Sequence, residues 1–359
     1  KGKNAAARRA TRPTEPSPAG RPVTAPVFLV LGAGAWGTAL ACILADRGRE
    51  VALWGRDTAA LRELVARHEN ARHLPGIRLP DGIRIVEALA DTPPGCTTAV
   101  LATPSQTTRD MARALRASAP QVRGIVCAAK GLELASGRLV HEVVREEFGD
   151  AVDVALLSGP NFAREVAEGR PAAVTIAASS AAFGASLLAG FHTSRFRPYL
   201  TDDLTGVAIG GSVKNALAIA AGIADGLGLG ANSRAALITR GLAEIARLGV
   251  ALGARTETFM GLSGLGDLVL TCTDDQSRNR RFGLALGRGT SVVAAEAGIG
   301  LVEGAATAPA VAALAARLQV DMPIVEQVAL VLAGVTTPAA AVAALMAREP
   351  GAEDRAWQG

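Results

Sequence analysis

Residues 27–57 read VFLVLGAGAWGTALACILADRGREVALWGRD, and this stretch decides the fold. Its first five residues are a short apolar run ended by glycine, the pattern of a buried strand. Gly32-Ala33-Gly34-Ala35-Trp36-Gly37 follows directly, then the apolar helical stretch TALACILADRG, which stops at Gly48. A second strand is expected from Val51 to Trp54. Strand, glycine turn, helix and strand within about 30 residues make a βαβ unit suited to a dinucleotide. Gly32 permits the tight turn, Gly34 lets the backbone approach a pyrophosphate, and Gly37 lets helix and strand pack closely. Free amide groups at the helix start then face the phosphates. The end of the second strand bears on which nicotinamide cofactor fits. Where an acid usually holds the ribose 2′-hydroxyl, the chain has Gly55, Arg56 and Asp57. The Arg56 guanidinium suits a 2′-phosphate and favours NADPH over NADH, although a small backbone shift could aim Asp57 at the ribose.

Outward from this unit, strands and helices keep alternating. Helix 58–68 precedes a short strand near 83–86, and strand 98–102 leads through Pro104-Ser105 into a helix ending near 117. Strand 124–129 ends at Lys130-Gly131, with helix 137–148 behind it. Strand 154–157 ends at Ser158-Gly159-Pro160-Asn161 before helix 162–168, and strand 172–178, helix 181–191 and strand 196–200 complete the series. Such alternation implies an α/β fold with a mainly parallel sheet covered on both faces. Beyond about residue 206 the strand signals fade and the chain reads as helical. The expected divisions are a disordered basic tail (1–24), a dinucleotide domain (25–206), an all-α domain (207–350) and a short C-terminal tail (351–359).

Composition narrows the function classes. The chain has 359 residues, 49% of them apolar, enough for two packed domains. Its formal charge of +4 comes from the tail, where Lys1, Lys3, Arg8, Arg9, Arg12 and Arg21 face Glu15 alone. With a near-neutral body and 3% aromatic residues, a nucleic-acid surface is not expected. Residues 328–347 are uncharged but broken by Thr336, Thr337 and Pro338, so no membrane insertion is expected either. Cys42, Cys96, Cys127 and Cys272 are scattered and histidines are few, which fits reduced thiols in a cytoplasmic protein without a metal site. A homodimer is one assembly that the sequence leaves open.

The chain holds four lysines among 37 basic residues, and only Lys130 and Lys214 lie outside the tail. Arginine stays charged at any working pH, whereas lysine loses its proton when desolvated, so both positions invite a chemical explanation. Lys130 falls at the carboxyl end of a strand, where open parallel sheets bind ligands. Lys214 falls in GGSVKNALAIAAGIADG, read as the beginning of a helix that is apolar nearly all round. Burial and the positive helix end would both favour its neutral amine, a general base whose ammonium form is the matching acid. Asp267, after the glycine-rich GLSGLGD, could orient the Lys214 amine, bind substrate hydroxyls or cap a helix. Ser277-Arg278-Asn279-Arg280-Arg281 is a basic cluster in which Arg278 and Asn279 could clamp a phosphate.

Taken together, these residues closely resemble the bacterial-type NAD(P)-dependent glycerol-3-phosphate dehydrogenases. The resemblance runs through GAGAWGTAL (32–40), Ala129-Lys130-Gly131-Leu132-Glu133, SGPNFA (158–163) and GGSVKN (210–215). It continues through GLSGLGDLVLTCTDDQSRNRRFG (261–283) and Leu301-Val302-Glu303-Gly304. It implies a Rossmann-type domain followed by an all-α domain, with the active site between them. By resemblance, Lys214 is the proton acceptor, and Lys130, Gly159, Asn161, Asp267, Ser277, Arg278 and Asn279 meet the substrate. Ala35, Trp36, Arg56, Ala163, Leu301 and Glu303 match cofactor positions, and Arg278 contacts cofactor as well. Ala35 replaces a frequent serine, and Asn161 a usual serine or threonine.

The implied reaction is hydride transfer between NADPH or NADH and carbon 2 of dihydroxyacetone phosphate, giving sn-glycerol 3-phosphate for phospholipid synthesis. Two other readings are a hydroxyacid dehydrogenase of similar plan and a catalytically silent NADPH-binding sensor. Lys130 and the arginine cluster weigh against the first, and intact Lys214 and Asp267 against the second.

Overall fold

The structure, a computed structural model, describes residues 27–46 and 48–349. Both expected tails, 1–24 and 351–359, therefore lie outside the described residues. Eight strands form one sheet: β1 (Val27–Leu31), β2 (Val51–Trp54), β3 (Ile83–Val86), β4 (Cys96–Leu101), β5 (Gly124–Cys127), β6 (Asp153–Ser158), β7 (Ala172–Ala178) and β8 (Phe196–Thr201). Their order is β3-β2-β1-β4-β5-β6-β7-β8. Helices α1 (Ala35–Ala45), α2 (Thr58–Arg67), α3 (Thr108–Ser118), α4 (Val140–Phe148), α5 (Ala163–Ala167) and α6 (Ala181–Phe191) connect them. Every pair of neighbours is parallel except β6 and β7, which run antiparallel. The sheet reverses direction of growth between β1 and β4, the switch point where such sheets bind ligands beyond their carboxyl ends.

Alternation along β1 shows why it is buried on both sides. Leu29 and Leu31 enter one core, whereas Phe28 and Val30 enter a second core with Leu40 and Leu44 of α1. The first core is continuous with the helical part of the chain, so the sheet and the helices after it share one apolar interior.

That helical part comprises α7 (Leu204–Gly226), α8 (Gly230–Ala251), α9 (Thr256–Phe259), α10 (Asp267–Thr273), α11 (Arg278–Gly287), α12 (Val292–Ile299), α13 (Glu303–Leu318), α14 (Pro323–Leu332) and α15 (Pro338–Met346). The Rossmann-like N-terminal domain is thus followed by a helical C-terminal domain. Helix α7 is long and apolar enough to cross a membrane by length and composition, but its apolar window is wholly buried inside the protein. Asp203 caps it by accepting the Gly206 amide at 2.8 Å.

Helices α7 and α11 cross backbone against backbone, because glycines face each other at the contact. A Cβ at Gly283 would stand 2.0 Å from the Ile219 carbonyl oxygen, and one at Gly222 would stand 2.1 Å from that of Arg280. Neither obstacle is a side chain that can swing away. Gly283→Ala is therefore expected to cost about 3 kcal/mol, the upper part of the range for overpacking, read as a lower denaturant midpoint at unchanged slope.

Candidate active site

The glycine turn holds the geometry its sequence requires. Gly32 has φ +118°, and a Cβ there would lie 2.8 Å from the Ala102 carbonyl oxygen. At Gly37 a Cβ would collide with the Gly32 carbonyl oxygen at 1.9 Å, so helix and strand meet as closely as backbones allow. Beside Gly34, in contrast, no protein atom lies within 4 Å of the Cβ position, and this residue opens α1 without a side-chain cap. The uncapped amides of α1 thus face open space, ready for an anion.

That space is a cleft of about 490 Å³ lined by Gly32, Gly34, Arg56, Asn70, Arg72 and Thr103, among others. The buried Thr103 hydroxyl has no hydrogen-bond partner there, a polar group positioned for a ligand. Turn, amides and orphan hydroxyl together fit a dinucleotide. Ala35 and Trp36 at the start of α1 pack in the same core as Ala163, the first residue of α5, and do not line the cleft. Leu301 is exposed before α13 and does not line it either.

Beyond the cleft, the two body lysines meet on one carboxylate. Lys214 Nζ donates to Asp267 Oδ1 at 2.5 Å, and Lys130 Nζ donates to Asp267 Oδ2 at 2.6 Å. Lys130 also reaches the Gly159 carbonyl at 3.4 Å. Lys214 is 6% and Asp267 1% exposed, so this cluster is withdrawn from water. Of the three expectations for Asp267, orientation of the lysine amine is the one this contact realises. The residue also begins α10, but its side chain is spent on the lysines.

The position of Lys214 corrects the sequence reading. It was expected near the beginning of its helix, facing the positive end, but Asp203 starts α7 at Leu204 and leaves Lys214 in the middle of 23 residues. The helix-end field fades within the first turn and contributes little there. Burial alone leads, pushing the amine down from 10.5 to about 8, helped by the Lys130 charge and opposed by Asp267.

Several partners escaped the sequence reading. The Thr271 hydroxyl accepts from Lys214 Nζ at 2.8 Å and donates to the Asp267 carbonyl at 2.6 Å. An ammonium has three donors, so two held by Asp267 and Thr271 leave one for a substrate oxygen. Ser158 Oγ, not singled out from sequence, and Asn161 Oδ1, at an expected substrate position, are buried without partners, while Asn161 Nδ2 holds the Ala173 carbonyl at 3.1 Å. Asn70, also missed, fastens the glycine turn through the Ala33 carbonyl (2.9 Å) and Thr38 Oγ1 (2.8 Å).

The arginine cluster divides. Ser277 caps α11 through the Arg280 amide, and Arg280 turns inward to pair with Asp225 and Asp275. Arg278 is exposed and has no ion-pair partner among the described residues. Its charge acts on His73 in the cleft and on Glu303 at the start of α13. Burial pushes the Glu303 carboxyl up, against Arg278, Lys130 and Lys214, so all three cations converge around it. Asn279 is buried, donating to Asn215 Oδ1 at 3.0 Å and accepting the Gly304 amide at 2.8 Å, which leaves one N–H unspent. Asn215 in turn donates to Glu303 at 3.4 Å.

A dinucleotide cleft, a buried lysine–carboxylate–lysine cluster and an arginine without an ion-pair partner among the described residues together define a class, the two-domain nicotinamide-dependent dehydrogenases. Comparison makes the assignment narrower. Residues 28–184 match the model of the NAD-dependent glycerol-3-phosphate dehydrogenase N-terminus, and residues 203–343 that of its C-terminus. The chain belongs to this family. It is 49% identical over 327 residues to glycerol-3-phosphate dehydrogenase [NAD(P)+] of Stenotrophomonas maltophilia, covering 91% of this chain and 96% of the relative. The Thioalkalivibrio sulfidiphilus enzyme of the same name is 54% identical over 308 residues, 86% and 92% of the two chains. The crystal structure of glycerol-3-phosphate dehydrogenase from Coxiella burnetii superposes with a TM-score of 0.86 at 44% identity, covering 90% and 99%. D-Mandelate dehydrogenase, at 13% identity and a TM-score of 0.56, shares the fold alone.

Proposed function

We propose that this protein is an oxidoreductase that interconverts dihydroxyacetone phosphate and sn-glycerol 3-phosphate with NADPH or NADH, in a cytoplasmic setting and in support of phospholipid synthesis. The observation that carries the reading is the buried Lys214 amine on Asp267, with Arg278, exposed and without an ion-pair partner among the described residues, close enough for its charge to act on both His73 of the cleft and Glu303. Family membership gives the substrate, and four free cysteines fit the compartment.

Gly32, Gly34, Gly37 and the amides of α1, with Ala35, Trp36 and Ala163 behind them, would hold the cofactor. When bound, the nicotinamide supplies or accepts the hydride. The free Lys214 donor then faces the substrate oxygen: its ammonium gives a proton as the carbonyl is reduced, and its amine takes one as the alcohol is oxidised. With a value of about 8, the group can serve in both directions near neutrality. Asp267 and Thr271 fix its direction, and Lys130 steadies the same carboxylate while its remaining donor can meet the substrate. Gly159 and Asn161 frame the substrate on the sheet side, and Arg278, with Ser277 and Asn279 at the start of α11, binds its phosphate. Leu301 and Glu303, which lie outside the cleft lining, would meet the cofactor from the helical side by the family resemblance alone.

The decisive experiment follows NADPH and NADH oxidation with dihydroxyacetone phosphate and with a panel of 2- and 3-oxoacids. Turnover of an oxoacid but not of dihydroxyacetone phosphate would overturn the substrate assignment. Arg278→Ala is expected to raise KM for dihydroxyacetone phosphate at least about tenfold, the worth of a charged hydrogen bond. With dihydroxyacetone, which lacks the phosphate, the same variant should show little of that penalty.

A further inference from the structure

Asp57 is the residue that could make an NADH-type ribose site here, and both of its carboxylate oxygens are engaged. Oδ1 accepts the Ala60 amide at 3.0 Å and caps α2, and Oδ2 faces Arg72 Nη1 at 3.4 Å. Arg72 belongs to the segment after α2 that Asn70 ties to the glycine turn, so its backbone is fixed relative to the cofactor cleft. Arg56 lines the same cleft and has no ion-pair partner among the described residues. The two other carboxylates of that wall are occupied: Glu63 pairs with Arg67 at 3.1 Å, and Glu69 accepts the Gly76 amide at 2.8 Å.

We infer that Arg72 is a second specificity-determining residue for the cofactor, closing with Arg56 on the 2′-phosphate of NADPH. This rests on the reading of the cleft as a nicotinamide-cofactor site that favours the phosphorylated form. A 2′-phosphate carries close to two negative charges, which one guanidinium leaves half balanced. Two guanidiniums flanking the end of β2 match it, and the phosphate takes over from Asp57 as the acceptor for Arg72. With NADH no such exchange occurs, and Arg72 stays on Asp57. Asp57 therefore acts as a holding partner that competes with the phosphate.

The test measures kcat/KM for NADPH and NADH, and calorimetric binding of 2′,5′-ADP and 5′-ADP, in the wild type, Arg56→Ala, Arg72→Ala and Asp57→Asn. Arg72→Ala is expected to lower the NADPH:NADH ratio of kcat/KM about fivefold, mainly through KM for NADPH, and to weaken 2′,5′-ADP more than 5′-ADP. Asp57→Asn keeps an N-cap acceptor but frees Arg72, so the ratio should rise. If the ion pair were only structural, Arg72→Ala and Asp57→Asn would shift the ratio the same way or not at all, and the inference would be overturned. A wild type with no preference for NADPH would instead sink the underlying reading of Arg56. A preference lost in Arg56→Ala but kept in a folded Arg72→Ala sinks the role of Arg72 alone.

Discussion

Lys214→Ala is expected to lower kcat by about 10²–10⁴-fold in both directions, the usual worth of a positioned acid–base group. The substituted protein should still bind NADPH, since Lys214 belongs to α7 and the glycine turn to β1 and α1. The pH dependence in the unsubstituted protein carries the sign of the mechanism. Oxidation of the alcohol needs the neutral amine, so its rate rises with pH through about 8. Reduction needs the ammonium, and its rate falls through the same value. Rates measured from pH 6 to 10 in both directions check this, and a Lys214→Ala enzyme that turns over normally rules out the proton role.

Asp267→Asn is expected to be the most damaging change to stability in the site. One carboxylate, 1% exposed, accepts from both lysines, and its loss leaves two cations side by side without the carboxylate that both hydrogen-bond. Removing one partner of a buried pair costs about 3–5 kcal/mol. The cost depends on pH. Folded Lys214 loses its proton at about 8, against 10.5 for the ordinary amine, so between these values the unfolded chain binds more protons and stability rises with pH. Asp267 is what holds the amine up, so without it the folded value drops and that window widens toward lower pH. Denaturant titrations at pH 7 and 9 should therefore show a smaller loss at pH 9. The midpoint for alcohol oxidation should move to lower pH at the same time. A loss independent of pH would argue that Asp267 is only a packing residue.

Much of this was legible in local sequence. Gly32, Gly34 and Gly37 each impose a different local requirement, and one residue type at three positions within six carries all of it. The scarcity of lysine pointed to Lys130 and Lys214, because a desolvated amine does what arginine cannot. What stayed hidden depends on partners far along the chain. Thr271 holds Lys214 across 57 positions, and Asn70 holds the glycine turn across 37. Neither residue stands in a periodic or motif-like context that would announce it. The antiparallel β7 was invisible for a similar reason, since AAVTIAA reads as a buried strand in either direction. The misplaced start of α7 has a local cause. Asp203 is an ordinary helix cap, but Gly206, Gly210 and Gly211 make the first turns look like a loop.

The glycine crossing of α7 and α11 has one more consequence. Lys214 sits on the first of these helices, and Arg278 and Asn279 open the second. With no side chains between the two backbones there is no cushion to compress, so whatever spacing separates Lys214 from Arg278 is held as stiffly as a strut between two welded beams.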